Sequence, residues 1–174
     1  LDCAYLNSTR GKNYLAAMAC GANYAWANRQ LLMHHTREIF EKTLRMAPRE
    51  LGMRLVYDVC HNIAKIEEFN IQGKVKKLCV HRKGATRAYP AGHDAVPARY
   101  RSVGQPVLIP GDMGTGSFVL VGQEKAMEET FGSACHGAGR VMSRTQATKV
   151  SQGRSIAKEL ADKGVLVMAS SKGT

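Results

Sequence analysis

The chain has 174 residues, 44% of them hydrophobic and 22% charged, the balance of a globular protein able to bury a real core. No apolar run reaches the length of a membrane-spanning helix, and no secretory signal is visible. The formal net charge of +11 points to polyanionic partners met through fast, salt-sensitive association.

Apolar residues at helical spacing predict one long helix over residues 12–44. Gly21 lies inside it and suggests close packing, while Pro48 and Gly52 mark its exit. Residues 54–59, with Leu55-Val56-Tyr57 at their centre, read as a buried strand. Two β-like runs, 63–71 and 75–81, flank Gln72-Gly73 and predict a hairpin. Residues 84–104, rich in Gly, Pro and Ala, read as a long loop of active-site length. Strands at 106–109 and 117–121 bracket a glycine-rich turn at 111–116. Helices fit 123–131, 140–149 and 153–163, with a last strand at 164–168. The order is α+β, with mixed sheets and packed helices and no βαβ repetition. Because the chain begins at Leu1 without Met, it is read as a single region, 1–174, belonging to a longer protein and forming an incomplete domain.

Positive charge is clustered. Residues 72–101 hold Lys74, Lys76, Lys77, Arg82, Lys83, Arg87, Arg99 and Arg101 against one acid, Asp94. Residues 140–158 hold Arg140, Arg144, Lys149, Arg154 and Lys158 with no acid. A solvated basic face is the plain reading, and nucleic acid is favoured over it because these stretches flank histidine motifs. The cysteines, Cys3, Cys20, Cys60, Cys79 and Cys135, show no C-x-x-C spacing, which disfavours a zinc ribbon or a thioredoxin-type pair. Scattered cysteines of this kind fit a reducing compartment.

The sharpest motif is Cys135-His136-Gly137-Ala138-Gly139-Arg140. Glycines let backbone approach a ligand closely. A neutral imidazole among them can act as nucleophile, base or metal ligand, and arginine offers a planar fork for phosphate. By itself this could be a structural turn. Three further segments stand upstream of it: Asp58-Val59-Cys60-His61-Asn62-Ile63-Ala64-Lys65, His81-Arg82-Lys83-Gly84-Ala85-Thr86-Arg87-Ala88, and the run from Gly104 to Ser117 with Gly111-Asp112-Met113-Gly114-Thr115-Gly116. These segments, in this order, resemble the RtcB family of RNA-splicing ligases. Ala22-Asn23-Tyr24-Ala25-Trp26-Ala27-Asn28-Arg29 is similar to that family's long helix, and the resemblance runs from about Gly11 to about Val167.

The resemblance implies a fold, a reaction and a site. Its histidine in H-G-A-G-R, here His136, would take GMP from GTP, pass it to an RNA 3′-phosphate formed from a 2′,3′-cyclic phosphate end, and allow a 5′-hydroxyl end to attack. GTP and Mn²⁺ are the implied cofactors, tRNA halves or broken RNA the substrates, archease a possible partner, and the cytoplasm the location, with no membrane role. The histidine of H-N-x-A-K, here His61, would be a metal ligand; the family's other ligands lie in motifs not found in this sequence. Asp112, Gly114, Ser117, Gly137, Ala138 and Gly139 would contact the nucleotide. Asp112 stands where many members carry Ser or Thr, and is therefore placed near guanine N–H groups rather than phosphate.

From the residues themselves, Lys65, Arg82, Lys83, Arg87 and Arg140 are candidates for RNA phosphates, which lysine and arginine position without reading sequence. Arg82 and Arg87 are favoured for their forks. Asp58 could orient an imidazole, and His34 and His35 read as ordinary helix residues. Two alternatives stay open: a non-catalytic RNA-binding or scaffold fragment of the family, and, ranked lower, a Cys/His hydrolase using Cys135 or Cys60.

Overall fold

A computed structural model describes residues 3–112, 114–137 and 139–168. The chain divides into two compact units, residues 1–87 and 88–174. The class is α+β, as the sequence predicts.

The first unit opens with α1, Thr9–Leu44. Its 36 residues span roughly 54 Å at 1.5 Å per residue. The helix starts three residues before the predicted position because Ser8 caps it, its hydroxyl accepting from the Gly11 amide at 3.1 Å. It ends at Arg45, whose φ of 53° is left-handed, three residues before Pro48. No helix among the described residues is long and apolar enough to cross a membrane.

Two strands follow, β1 Asn62–Ile71 and β2 Lys74–Lys83, paired antiparallel with Ile71 opposite Lys74 and Asn62 opposite Lys83. Gln72 and Gly73 both have positive φ, 53° and 78°, as a two-residue hairpin turn of type I′ requires. The predicted hairpin is therefore present. Period-two alternation sets Ile63, Lys65, Glu67 and Phe69 on the less exposed face of β1, and Phe69 is buried. A short strand β3, Ala85–Arg87, ends the unit.

Residues 54–59 are not a strand: the stretch before His61 is irregular. Apolar content alone cannot tell a strand from another half-covered segment, and this one joins no described ladder.

The second unit is built around Ala88, Tyr89, Val96, Gln105 and Val107, all buried. Gln105 is a polar residue in that core and is satisfied there. Its amide donates to the Tyr89 carbonyl at 2.9 Å, its side-chain oxygen accepts from the Tyr89 amide at 3.2 Å, and its carbonyl accepts from Gly122 at 2.9 Å. Strands β4 Pro106–Ile109 and β5 Phe118–Val121 form an antiparallel hairpin. After it come α2 Glu124–Thr130, β6 Ser133–Cys135, α3 Arg144–Val150 and α4 Ile156–Ala161.

Local capping explains several boundary shifts. Helix α3 begins at residue 144 rather than 140 because the Ser143 hydroxyl accepts from the Gln146 amide at 3.2 Å. The predicted strand at 164–168 is absent. Gly164 takes φ 78° and the Val165 amide donates to the Leu160 carbonyl at 2.9 Å, which closes α4 instead of extending the chain. Strands β3 and β6 were missed by periodicity, since three residues are too few to show a period.

Candidate active site

His61 sits immediately before β1, half-buried. Its carbonyl accepts from the Gly84 amide at 2.9 Å. The residue lines a cleft of about 480 Å³ between α1 and the start of β1, together with Tyr14, Arg29, Cys60 and Asn62. Ala17, Gly21, Ala22 and Ala25 form the helix wall. Gly21 does not serve close packing, because an added Cβ would meet nothing within 4 Å; it widens the cleft.

Arg29 is the cleft residue that sequence reasoning passed over. Its Nε donates to Asp58 Oδ1 at 2.6 Å and its Nη2 lies 3.7 Å from Cys60 Sγ. Burial works against its charge, and the bonds to Asp58 and Cys60 outweigh that, so its pKa is held above the ordinary guanidinium value. Asp58, read from sequence as a partner for an imidazole, has one oxygen committed to Arg29.

Imidazole is a suitable donor, and Asp58 balances the Arg29 charge that would otherwise repel a cation from the cleft. Among the described residues, however, the one cluster of three potential ligands is His34, His35 and Glu38 on α1, with ligand atoms within 4.8 Å of one another. His61 does not belong to it. The described residues thus do not complete a manganese site around His61.

The basic residues of β1 to β3 separate into two groups. Arg82 is not an exposed fork: its side chain is 2% exposed and grips Glu67 with two bonds, 3.0 and 2.7 Å. Arg87 Nη1 lies 3.9 Å from the same carboxylate. Lys65 is half-buried, and its pKa is lowered, first by burial and then by Arg87. Lys83, by contrast, is exposed at the end of β2. Glu67, missed in the sequence reading, was signalled by its place between Lys65 and Phe69 in the two-residue alternation.

In the second unit, Asp112, Gly114 and Ser117 are brought into one exposed turn. Asp112 Oδ1 accepts from the Gly114 amide at 2.7 Å and the Thr115 hydroxyl at 3.0 Å, and the Ser117 hydroxyl accepts from the Gly111 amide at 3.1 Å. A Cβ at Gly111 would lie 2.3 Å from the Gly116 carbonyl oxygen, so the turn closes only around glycine. The Gly114 amide first, then the Thr115 hydroxyl, hold the Asp112 carboxyl below its usual pKa. A depressed carboxyl stabilises above the unfolded pKa, about 4, and that support is lost as pH falls through the lowered native value. The Gly114 amide resonance is expected to move as pH drops below about 4, and Asp112→Ala to remove that titration. An unchanged Gly114 amide across this range would show that Asp112 does not hold the turn.

His136 directly follows β6, which ends at Cys135. The ring is partly exposed, while its Nδ1 is shielded from solvent. Gly137, Gly139 and Arg140 are exposed on its C-terminal side. Ala138 lies outside the described residues.

The chain is thus an α+β protein that sets histidines at strand ends, one in an arginine-lined cleft and one in a glycine-flanked segment leading to Arg140. The family model for the tRNA-splicing ligase RtcB matches residues 1–174, and the chain belongs to that family. It is 59% identical over 169 residues to the tRNA-splicing ligase RtcB of Archaeoglobus fulgidus, covering 97% of this chain and 35% of that protein. The corresponding protein of Methanococcus maripaludis is 54% identical over 173 residues, 99% of this chain and 36% of its own length. That of Pyrococcus abyssi is 57% identical over 164 residues, 94% and 18% respectively. The chain therefore spans about a third or less of the curated relatives it matches.

Proposed function

We propose that this chain is the part of a GTP- and Mn²⁺-dependent RNA ligase that carries the guanylylated histidine. The observation that supports it most is the placement of His136. A rigid strand ends one residue before it, glycines follow it, and Nδ1 is turned away from solvent. Nε2 is then the nitrogen offered to a ligand. His136 Nε2 forms a bond to the α-phosphorus of GTP, and the bond from that phosphorus to the β-phosphate oxygen breaks, releasing pyrophosphate.

Arg140 and the backbone amides of Gly137 and Gly139 balance charge on the phosphoryl oxygens. Ala138 is assigned to the same loop by family resemblance. The turn holding Asp112, Gly114 and Ser117 receives the nucleotide, with the remaining Asp112 oxygen directed to the base. When bound, manganese would supply charge neutralisation on phosphate oxygens, and His61 would be one of its ligands.

Lys83 and Arg140 are exposed and suit RNA phosphates directly. Lys65 and Arg87 are partly covered and act at the edge of the basic surface of the first unit around Lys83. Arg82 is assigned by its motif, and serves through Glu67 as the anchor of that surface. The substrates are RNA ends, as in tRNA halves or broken RNA, in the cytoplasm, with archease as a protein partner implied by the family.

Joining of a 2′,3′-cyclic phosphate end to a 5′-hydroxyl end by the full-length protein is the decisive assay. Product is expected with GTP and Mn²⁺ together and with neither alone. Salt-sensitive RNA binding without any joining would instead favour the scaffold reading.

A further inference from the structure

The residue before β1 that faces the cleft, His61, has regular structure on one side only. Its C-terminal neighbours enter the β1–β2 ladder. On its N-terminal side, residues 53–60 form neither helix nor strand. Two arginines of α1 bond to that segment. Arg37 Nε and Nη2 both donate to the Met53 carbonyl, at 3.1 and 2.9 Å. Arg29 holds the other end through Asp58 and Cys60. The two arginines are eight residues apart, about 12 Å along the helix, and they bond to the segment near both of its ends.

We propose that Arg29 is a positioning residue for His61. It does not touch a substrate; it sets the imidazole through the two residues nearest to it that carry side-chain partners on α1. The pair is partly desolvated, with side-chain exposures of 36% for Arg29 and 29% for Asp58, which makes it stronger than a fully solvated ion pair. The two-point grip needs a guanidinium. A lysine can reach Asp58 but cannot also present a second nitrogen to Cys60. The inference rests on the reading of His61 as a metal ligand, because orientation of a ligand imidazole is what such a partner controls.

The test uses the full-length protein with ¹³C-labelled histidine and hydrogen exchange read by mass spectrometry. In Arg29→Ala, the His61 ring resonances are expected to shift, and exchange at residues 53–61 to accelerate at least about tenfold, with the β1–β2 amides unchanged. Arg29→Lys should fall between, Asp58→Asn should reproduce the shift, and the double variant should add little to Arg29→Ala. Broadening of the His61 resonances by Mn²⁺ should need about tenfold more metal in Arg29→Ala, the lower end of what a lost ligand-orienting partner costs. A His61 ring and a 53–61 segment that behave as in the parent protein would overturn the proposal. Absence of Mn²⁺ broadening in the parent protein would refute the metal assignment, and the ring shift and exchange would still decide the role of Arg29.

Discussion

His136→Ala is expected to abolish covalent labelling of the full-length protein by α-³²P-GTP and to reduce RNA end joining by about 10³-fold or more. The covalent step has no substitute once the nitrogen is gone, because alanine offers no lone pair and a water in its place would release GMP instead of storing it. Effects on nucleophiles are among the largest that single substitutions produce. His136→Gln should fail equally, since an amide nitrogen is not a nucleophile, although it preserves much of the bulk beside β6. Cys135→Ser is the informative companion. It should retain the label, whereas a Cys/His hydrolase would lose activity in that variant and need no GTP. Persistence of an acid-labile label in His136→Ala would place the nucleophile elsewhere and remove the central assignment.

The second large effect is on stability. Glu67→Ala takes from the Arg82 guanidinium, 2% exposed at its side chain, the carboxylate that accepts two of its bonds, at 3.0 and 2.7 Å. Breaking a buried pair by removing one partner costs about 3–5 kcal/mol. For a protein of this size that is a fall in Tm of roughly 10–15 °C. The contrast lies on the same hairpin. Lys77 and Glu68 approach to 3.4 Å but with exposures of 73% and 59%, and Lys77→Ala should change stability by less than about 1 kcal/mol. Removing both members of the buried pair together, as Glu67→Leu with Arg82→Met, should recover much of the loss, because apolar side chains of similar volume then replace the pair. Urea unfolding of the four proteins decides it; equal effects of Glu67→Ala and Lys77→Ala would show that the Arg82 fork is not held by Glu67.

These two expectations differ in how far the sequence alone could have reached them. The expectation for His136 comes from short segments whose order resembles a known family, since the six residues around it could by themselves be a structural turn. The Glu67–Arg82 pair was not legible in the sequence, since it joins residues fifteen apart through a hairpin, and the basic cluster around residue 82 looked like an open phosphate surface until the register placed one of its arginines inside.

The same division runs through the whole chain. Sequence by itself determined the elements whose signals are local: the long helix α1, the Gln72-Gly73 hairpin, the strands expected at 106–109 and 117–121, the second of which begins at Phe118, and the basic surplus. Helical spacing, turn chemistry and charge are properties of neighbouring residues, so they can be read without a fold. Tertiary structure decided the rest. It left residues 54–59 irregular, turned residues 164–168 into a helix exit, and used β6 to lead into His136. It committed Asp58 to Arg29 and Arg82 to Glu67. Strand formation depends on a neighbour to pair with, and the role of a charge depends on which opposite charge and how little water it meets, and both are set by residues remote in the chain.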